Sequence, residues 1–145
     1  WIDIARDSLH DVLSLSDILF INESEASLLS GKKTIYDSAS QFLDLGLKIV
    51  VVKKGGQGAE LFSNEENIKI GAYKVNVVDP TGAGDVFGGA FISTLAQGGT
   101  LSDSLVNGSA MASFCVEGFG TSCILNVSEE ELEDRKSNLY STLSS

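Results

Sequence analysis

The stretch Val77–Gly89, VVDPTGAGDVFGG, decides how this chain is read. It sits inside a longer run in which three local patterns follow one another. KVNVVD (Lys74–Asp79) has the β-branched composition of a strand, with VNVV expected to be buried. DPTGAGD is the turn at its carboxyl end, and a helix is expected from near Gly84 to Gln97. In open α/β sheets, ligands bind at such strand-to-helix turns. The first turn of a helix presents N–H groups without intrahelical acceptors, together with a partial positive charge. Gly82 and Gly84 would let an anion approach the backbone with no Cβ in the way.

Asp85 is at first sight misplaced, because a carboxylate repels phosphate. It makes sense if it acts on a neighbouring alcohol, accepting the proton as the oxygen attacks phosphorus. The amides of Gly82, Ala83 and Gly84 would then stabilise charge on the transferred group. The plain alternative is an ordinary helix start with an acidic residue in its first turn. Two other phosphate motifs fail. The Walker pattern G-x-x-x-x-G-K-[ST] is absent, and the dinucleotide pattern G-x-G-x-x-G meets Phe87 at its third glycine. The acidic residue that pattern needs further on would be Asp103, which stands at a helix start.

Outward from this core, helical and strand patterns alternate. Helices are expected over Ile2–Leu15, over ESEASLLS up to Gly31, and from the N-cap Thr34 to just before Gly46. Strands are expected at DILFIN (Asp17–Asn22) and LKIVVVK (Leu47–Lys53). AELFS and IKIGAY are expected to pair antiparallel across the turn NEEN. LSDSLVNGSAMASFCVEG reads as a helix whose small residues permit close packing. A last helix opens with Ser128 and Glu131 as a capping box and frays into a solvated serine-rich end. The class expected is a three-layer α/β fold with a mainly parallel sheet, since the central strands are continuously apolar.

Composition narrows function. The 145 residues carry 20 acidic and 10 basic side chains, a net charge of -10, with 43% hydrophobic residues. That balance opposes partnership with nucleic acid or an anionic membrane. No apolar run reaches the length of a span. Cys115 and Cys123 are too few for a disulfide framework and fit buried thiols in a reducing cytosol, so a cytoplasmic location is expected. His10, the one histidine, reads as surface, and SEEELED as a capped helix start rather than a metal site. The opening residue, Trp1, suggests a piece of a longer protein.

DPTGAGDVFGGAF (Asp79–Phe91) resembles the second signature of the ribokinase-like (PfkB) family of carbohydrate and nucleoside kinases, D-T-x-G-A-G-D-x-F. NESE (Asn22–Glu25) is similar to the family's N-x-x-E motif, and KKGGQG (Lys53–Gly58) to its nucleotide-contacting T-x-G-x-x-G turn. All three come in the family's order. The resemblance covers the whole chain but only the carboxyl-terminal half of a family member. It implies that residues 1–145 are the nucleotide-binding, catalytic half, with the sugar-binding and lid half missing and the fragment inactive alone.

It further implies ATP-dependent phosphoryl transfer to a sugar or sugar-acid hydroxyl, with Asp85 as general base and Gly82, Ala83 and Gly84 as the anion hole. Asn22 and Glu25 would lie near Mg²⁺ and the phosphates, Glu25 acting through water. Gly55 and Gly58 would admit the nucleotide, with Lys53 beside them, and Asn107 would border the adenine. Asp79, with Ser113–Ser122, resembles a monovalent-cation loop suited to K⁺. A homodimer of the full-length protein is implied as well. Lys53 and Pro80 stand where the family has threonine, which puts a hydroxyl contact to nucleotide in doubt at the first and removes an N–H at the second.

Each motif also has a plainer reading. NESE fits a strand end before a helix, KKGGQG a hairpin turn, Asn107 a polar helix residue, and EGFG (Glu117–Gly120) a helix C-cap. Three alternatives to a sugar kinase stay open: a nucleoside kinase of the same family, a non-catalytic nucleotide-binding module, and a half-domain of a nucleotide-cofactor oxidoreductase.

Overall fold

The computed structural model describes residues 6–118 and 124–145. They fall into two compact units. One comprises the described part of residues 1–55 with Ala59–Ile68 and Ser145; the other comprises Gly56–Gly58 and the described part of residues 69–144.

The first unit runs α1 (Arg6–Ser14), β1 (Ile18–Asn22), α2 (Glu23–Ser30), α3 (Ile35–Asp44), β2 (Ile49–Lys53) and β3 (Ala59–Ser63). It also includes the start of β4 (Asn67–Ile70), within which the chain passes from one unit to the other. The sheet order is β1-β2-β3-β4. β1 and β2 are parallel, in register from Ile18↔Ile49 to Asn22↔Lys53. β2 and β3 are antiparallel, so the sheet is mixed. Val50, Val51 and Val52 are all fully buried, which is why this strand is apolar at consecutive positions instead of alternating. Ile21, Leu29, Phe42 and Leu47 fill the core beside them. Helix boundaries follow local chemistry. Gly31 ends α2 in the left-handed region (φ 72), and Thr34 caps α3 by accepting from the Asp37 N–H.

The second unit packs α4 (Ala83–Ala96), α5 (Leu101–Val116) and α6 (Glu129–Tyr140). Phe87 and Phe91 stack at 6.4 Å within α4, and Leu105, Val106, Ala110 and Leu139 are fully buried. The small residues of α5 bring it close to α4. A Cβ on Gly108 would lie 3.0 Å from the Phe87 carbonyl and 3.4 Å from its ring. α6 is held across α5 at two places. Near the start of α5, the Tyr140 hydroxyl donates to Asp103 Oδ1 at 2.5 Å. Near its end, Arg135 meets Glu117 and Ser113.

Two expectations are corrected. Residues 74–79 form no strand. They are paired with no strand among the described residues, and the N–H groups of Val78 and Asp79 donate instead to the carbonyl of Val116 at the end of α5 (2.7 and 3.2 Å). Val77 and Val78 are accordingly exposed rather than buried, at 62% and 49%. The carboxyl-terminal serines do not fray. Lys69 and Ser144 exchange backbone hydrogen bonds at 2.7 and 3.0 Å, and the Gly71 N–H donates to the Thr142 hydroxyl at 3.0 Å. A fraying end would leave those groups to water; here β4 and the segment after it take them up. Cys115 is buried, and Cys123 lies outside the described residues.

Helix propensity alone favours alanine over glycine by about 1 kcal/mol. At Gly108 the neighbouring atoms are a backbone carbonyl and a buried ring, neither free to retreat. Gly108→Ala is therefore expected to lose about 1–2 kcal/mol net in denaturant unfolding. Gly89→Ala, where an added Cβ meets nothing within 4 Å, should gain about 0.5–1 kcal/mol.

The Tyr140 hydroxyl, followed by that of Thr100, holds the Asp103 carboxyl below its ordinary 3.8. Burial and the same hydrogen bond push Tyr140 up to about 12. A depressed carboxylate stabilises above its unfolded pKa and loses that contribution as pH falls through the folded value. A raised phenol does the reverse at the alkaline end. The gap in melting midpoint between wild type and Tyr140→Phe should thus be widest near neutrality. It should narrow below pH 3.8 and again above the ordinary tyrosine value of 10.0.

Candidate active site

In the second unit the glycine loop is built by short-range backbone chemistry. Asp79 Oδ1 accepts from the Thr81 N–H at 2.9 Å, closing a turn around Pro80. That bond, with the Thr81 hydroxyl second, holds the Asp79 carboxyl below its ordinary value. The thiol of Cys115 lies 3.7 Å from the Thr81 carbonyl. Gly82 then takes φ 80 and ψ −8, a left-handed conformation that glycine adopts without strain, and serves as N-cap of α4. It offers no side-chain cap, and nothing lies within 4 Å of where its Cβ would be. The helix start is therefore open at the position where the sequence suggested an anion.

Of the three expected amides, that of Gly82 belongs to the N-cap residue, and those of Ala83 and Gly84 after it are not equivalent. The Ala83 N–H donates to the Pro80 carbonyl at 3.2 Å. Gly84 and Asp85 stand in the first helical turn, where an N–H has no acceptor within the helix. An anion here would draw on these groups directly and on Ala83 only in competition with Pro80. Asp85 is exposed in the same first turn.

Asn107 faces a different task. Its side-chain amide donates to the Thr94 hydroxyl at 2.8 Å, joining α5 to α4. Of the segment resembling a cation loop, Ser113 is buried, donating to the Ala110 carbonyl at 2.6 Å and accepting from Arg135 at 2.9 Å. Residues 119–122 lie outside the described residues.

In the first unit, Asn22 and Lys53 are register partners at the carboxyl ends of the parallel pair β1–β2. Asn22 is also the N-cap of α2. Its Oδ1 accepts from the Glu25 N–H at 2.8 Å, and Glu25 Oε2 accepts from the Asn22 N–H at 3.1 Å. The N-x-x-E motif is thus a reciprocal capping box, with the remaining carboxylate oxygen of Glu25 left for other work. Gly55 opens a short 3₁₀ turn (Gly55–Gln57) with φ 54 and open space where a Cβ would be.

Gly58, within the second unit, has a separate reason to be glycine. At φ 97, its Cβ would fall 1.9 Å from the Ile70 carbonyl. Its smallness is required by the chain's own backbone, whatever else approaches.

Sequence reading missed the ion pairs, two of which involve largely buried side chains. Lys54 Nζ lies 3.0 Å from Glu60 Oε2, with the Glu60 side chain 2% exposed. An acidic residue in an apolar strand pattern, after two lysines, was the available signal. Arg135 Nη2 lies 2.6 Å from Glu117 Oε2, and the guanidinium centre sits 3.5 Å from the Phe114 ring centroid and 4.7 Å from that of Tyr73. Nothing in SEEELEDRKSNLY distinguishes this arginine from a solvated one. Among the described residues, no group of three or more His, Cys, Asp or Glu side chains could hold a metal, and no helix is long and apolar enough to cross a membrane.

Residues 1–126 match the model of the pfkB family carbohydrate kinases. A ribokinase from Staphylococcus aureus is 39% identical over 127 residues, 83% of this chain and 42% of that enzyme. A cytidine kinase from Thermococcus kodakarensis is 33% identical over 100 residues, 68% of this chain and 36% of its own length. Among solved structures, a ribokinase II from E. coli in complex with ATP and Mg²⁺ superposes with a TM-score of 0.83 at 38% identity, covering 94% of this chain and 45% of that one. The chain therefore spans less than half the length of these relatives. The family match includes the glycine loop and the capped strand end before α2, and the chain belongs to the pfkB family of carbohydrate kinases.

Proposed function

We propose that residues 1–145 are the nucleotide-binding half of an ATP-dependent kinase that phosphorylates a sugar or sugar-acid hydroxyl, and that alone they turn over little. The observation that carries this reading is the start of α4. An N-cap glycine with open space around it, first-turn amides without helical acceptors, and a carboxylate in that turn stand together in the segment that carries the family signature.

These residues fit a nucleotide phosphate and a magnesium ion. Backbone N–H groups at a helix start suit phosphate, and the lone Glu25 carboxylate oxygen suits a hydrated Mg²⁺, which is commonly held through one or two carboxylates and water. When bound, Mg²⁺ would neutralise charge on the phosphates. The chain's own residues do the rest. The Gly84 and Asp85 N–H groups, with Ala83 when Pro80 releases it, hold the migrating phosphoryl oxygens. The Asp85 carboxylate orients the acceptor alcohol and takes its proton as the new O–P bond forms and the bond from the γ-phosphorus to the bridging oxygen breaks, ADP leaving with that electron pair. Lys53, at the end of β2, offers a point charge to phosphate in place of the family's threonine. K⁺ at Asp79, and a homodimer of the intact protein, are part of the same reading.

In the intact protein, Asp85→Asn should lower kcat by about 10²–10⁴-fold while ATP binding by titration stays within about threefold. Unchanged turnover would remove Asp85 from the chemistry; a protein that binds ATP but phosphorylates no member of a sugar and nucleoside panel would be a binding module. A nucleoside as best acceptor would replace the sugar assignment, and preference for NAD over ATP would end the kinase reading.

Glu25 can be tested apart from its cap. Gln keeps a capping box, so Glu25→Gln should unfold within about 0.5 kcal/mol of wild type, while the Mg²⁺ concentration for half-maximal rate rises. Asn22→Ala, which breaks the box, should cost about 1 kcal/mol. An unchanged Mg²⁺ requirement in Glu25→Gln would leave the motif as a cap only.

A further inference from the structure

We propose that Arg135, on a helix beyond the family match, is a positioning residue for the glycine loop; the proposal rests on the kinase reading above only for its kinetic consequence. The last carbonyls of any helix lack intrahelical donors. At the end of α5 the Val116 carbonyl finds two, the N–H groups of Val78 and Asp79 at 2.7 and 3.2 Å. Asp79 then pins Thr81 at 2.9 Å, and Gly82 follows as the N-cap of α4. The loop entrance is thus hung on the carboxyl end of α5.

That end has no basic residue of its own in its last turn. Arg135 supplies the charge from α6, where it complements the negative end of the helix dipole. Its two terminal nitrogens grip Glu117 at 2.6 Å and Ser113 at 2.9 Å. Its face lies on Phe114 within α5, and it also reaches the ring of Tyr73, six residues before the loop's Asp79. The side chain is only 13% exposed. One guanidinium therefore touches side chains on both segments that must be in register for the loop to form: the end of α5, and the stretch that hydrogen-bonds to it. A lysine could keep the charge but not the two-pronged grip or the stacking.

The test uses the intact protein with Arg135→Ala, Arg135→Lys and, as a control, Tyr140→Phe, which cuts the tie between α6 and the opposite end of α5. Amide exchange is followed at Val78 and Asp79 and at Val50–Val52, alongside kcat and the KM for ATP. In Arg135→Ala the Val78 and Asp79 amides should exchange about tenfold faster while Val50–Val52 do not change. kcat should fall about tenfold and KM less than about threefold, because misplaced donors cost more in the transition state than in binding. Arg135→Lys should be intermediate in both readouts, and Tyr140→Phe close to wild type in both. If Arg135→Ala does not fold, Arg135→Lys carries the same comparison.

Unchanged exchange at Val78 and Asp79 would overturn the proposal. So would equal acceleration in Tyr140→Phe or at Val50–Val52, which would mark general loosening, or faster loop exchange with kcat intact. If the wild-type protein phosphorylates nothing, the kinase reading falls by itself, and the exchange data still decide whether Arg135 holds the loop.

Discussion

A single carbonyl organises the candidate site. The Val116 oxygen at the end of α5 accepts from both Val78 and Asp79, and this decides what the preceding segment becomes. A chain of β-branched residues with no ladder beside it must still satisfy its N–H groups. Here two of them turn to a helix terminus whose carbonyl lies beyond the reach of intrahelical donors, so one contact answers two deficits. The same contact fixes where Asp79 stands. The turn over Pro80, the left-handed Gly82 and the first turn of α4 follow from that position by local hydrogen bonds alone. The loop's geometry is therefore inherited from α5 and not from a strand.

This explains which parts were legible in the sequence. Helix ends were readable because caps are local: Thr34, Gly31 and the Ser128–Glu131 box each declare themselves within a few residues. The buried run Val50–Val52 was readable because a strand covered on both faces shows no alternation. KVNVVD was misread because strand propensity describes a residue's fit to a pleated surface, and says nothing of whether a neighbouring strand is there to pair with. The tethered end at Lys69 and Ser144 was invisible for a related cause. It joins positions far apart in sequence, and no pattern of serines encodes that. Arg135 and Lys54 were missed because an ion pair is a property of two distant residues, and each alone looks like surface.

The motif residues serve folding first. Asn22 and Glu25 cap α2, Asp79 closes a turn, Asn107 joins two helices, and Gly58 avoids a collision with the Ile70 carbonyl. Such double duty means that a family signature cannot be divided into structural and chemical letters by inspection. Geometry separates a few of them. Gly58 is required by its own backbone, whereas Gly55 and Gly82 have open space where a Cβ would stand. Openness around a glycine of positive φ leaves room for an outside group, so these two are the better candidates for direct approach by a ligand.

The proposed chemistry also has to work in a chain of net charge -10. Two ranges of electrostatics oppose each other. The summed field of scattered surface carboxylates repels a polyphosphate at a distance, but it is screened over about 8 Å at physiological salt. The N–H groups of a helix start act within hydrogen-bond reach, where little solvent or counterion intervenes, and their attraction falls off beyond the first turn. Binding governed this way is weak in long-range steering and strict in geometry: a phosphate gains little until it is seated. Selectivity then depends on holding a few amides in place, more than on accumulating positive side chains. The same logic accounts for a carboxylate beside them. Once seated oxygens are matched by N–H groups, Asp85 need not neutralise anything, and its remaining lone pairs are available for an incoming hydroxyl.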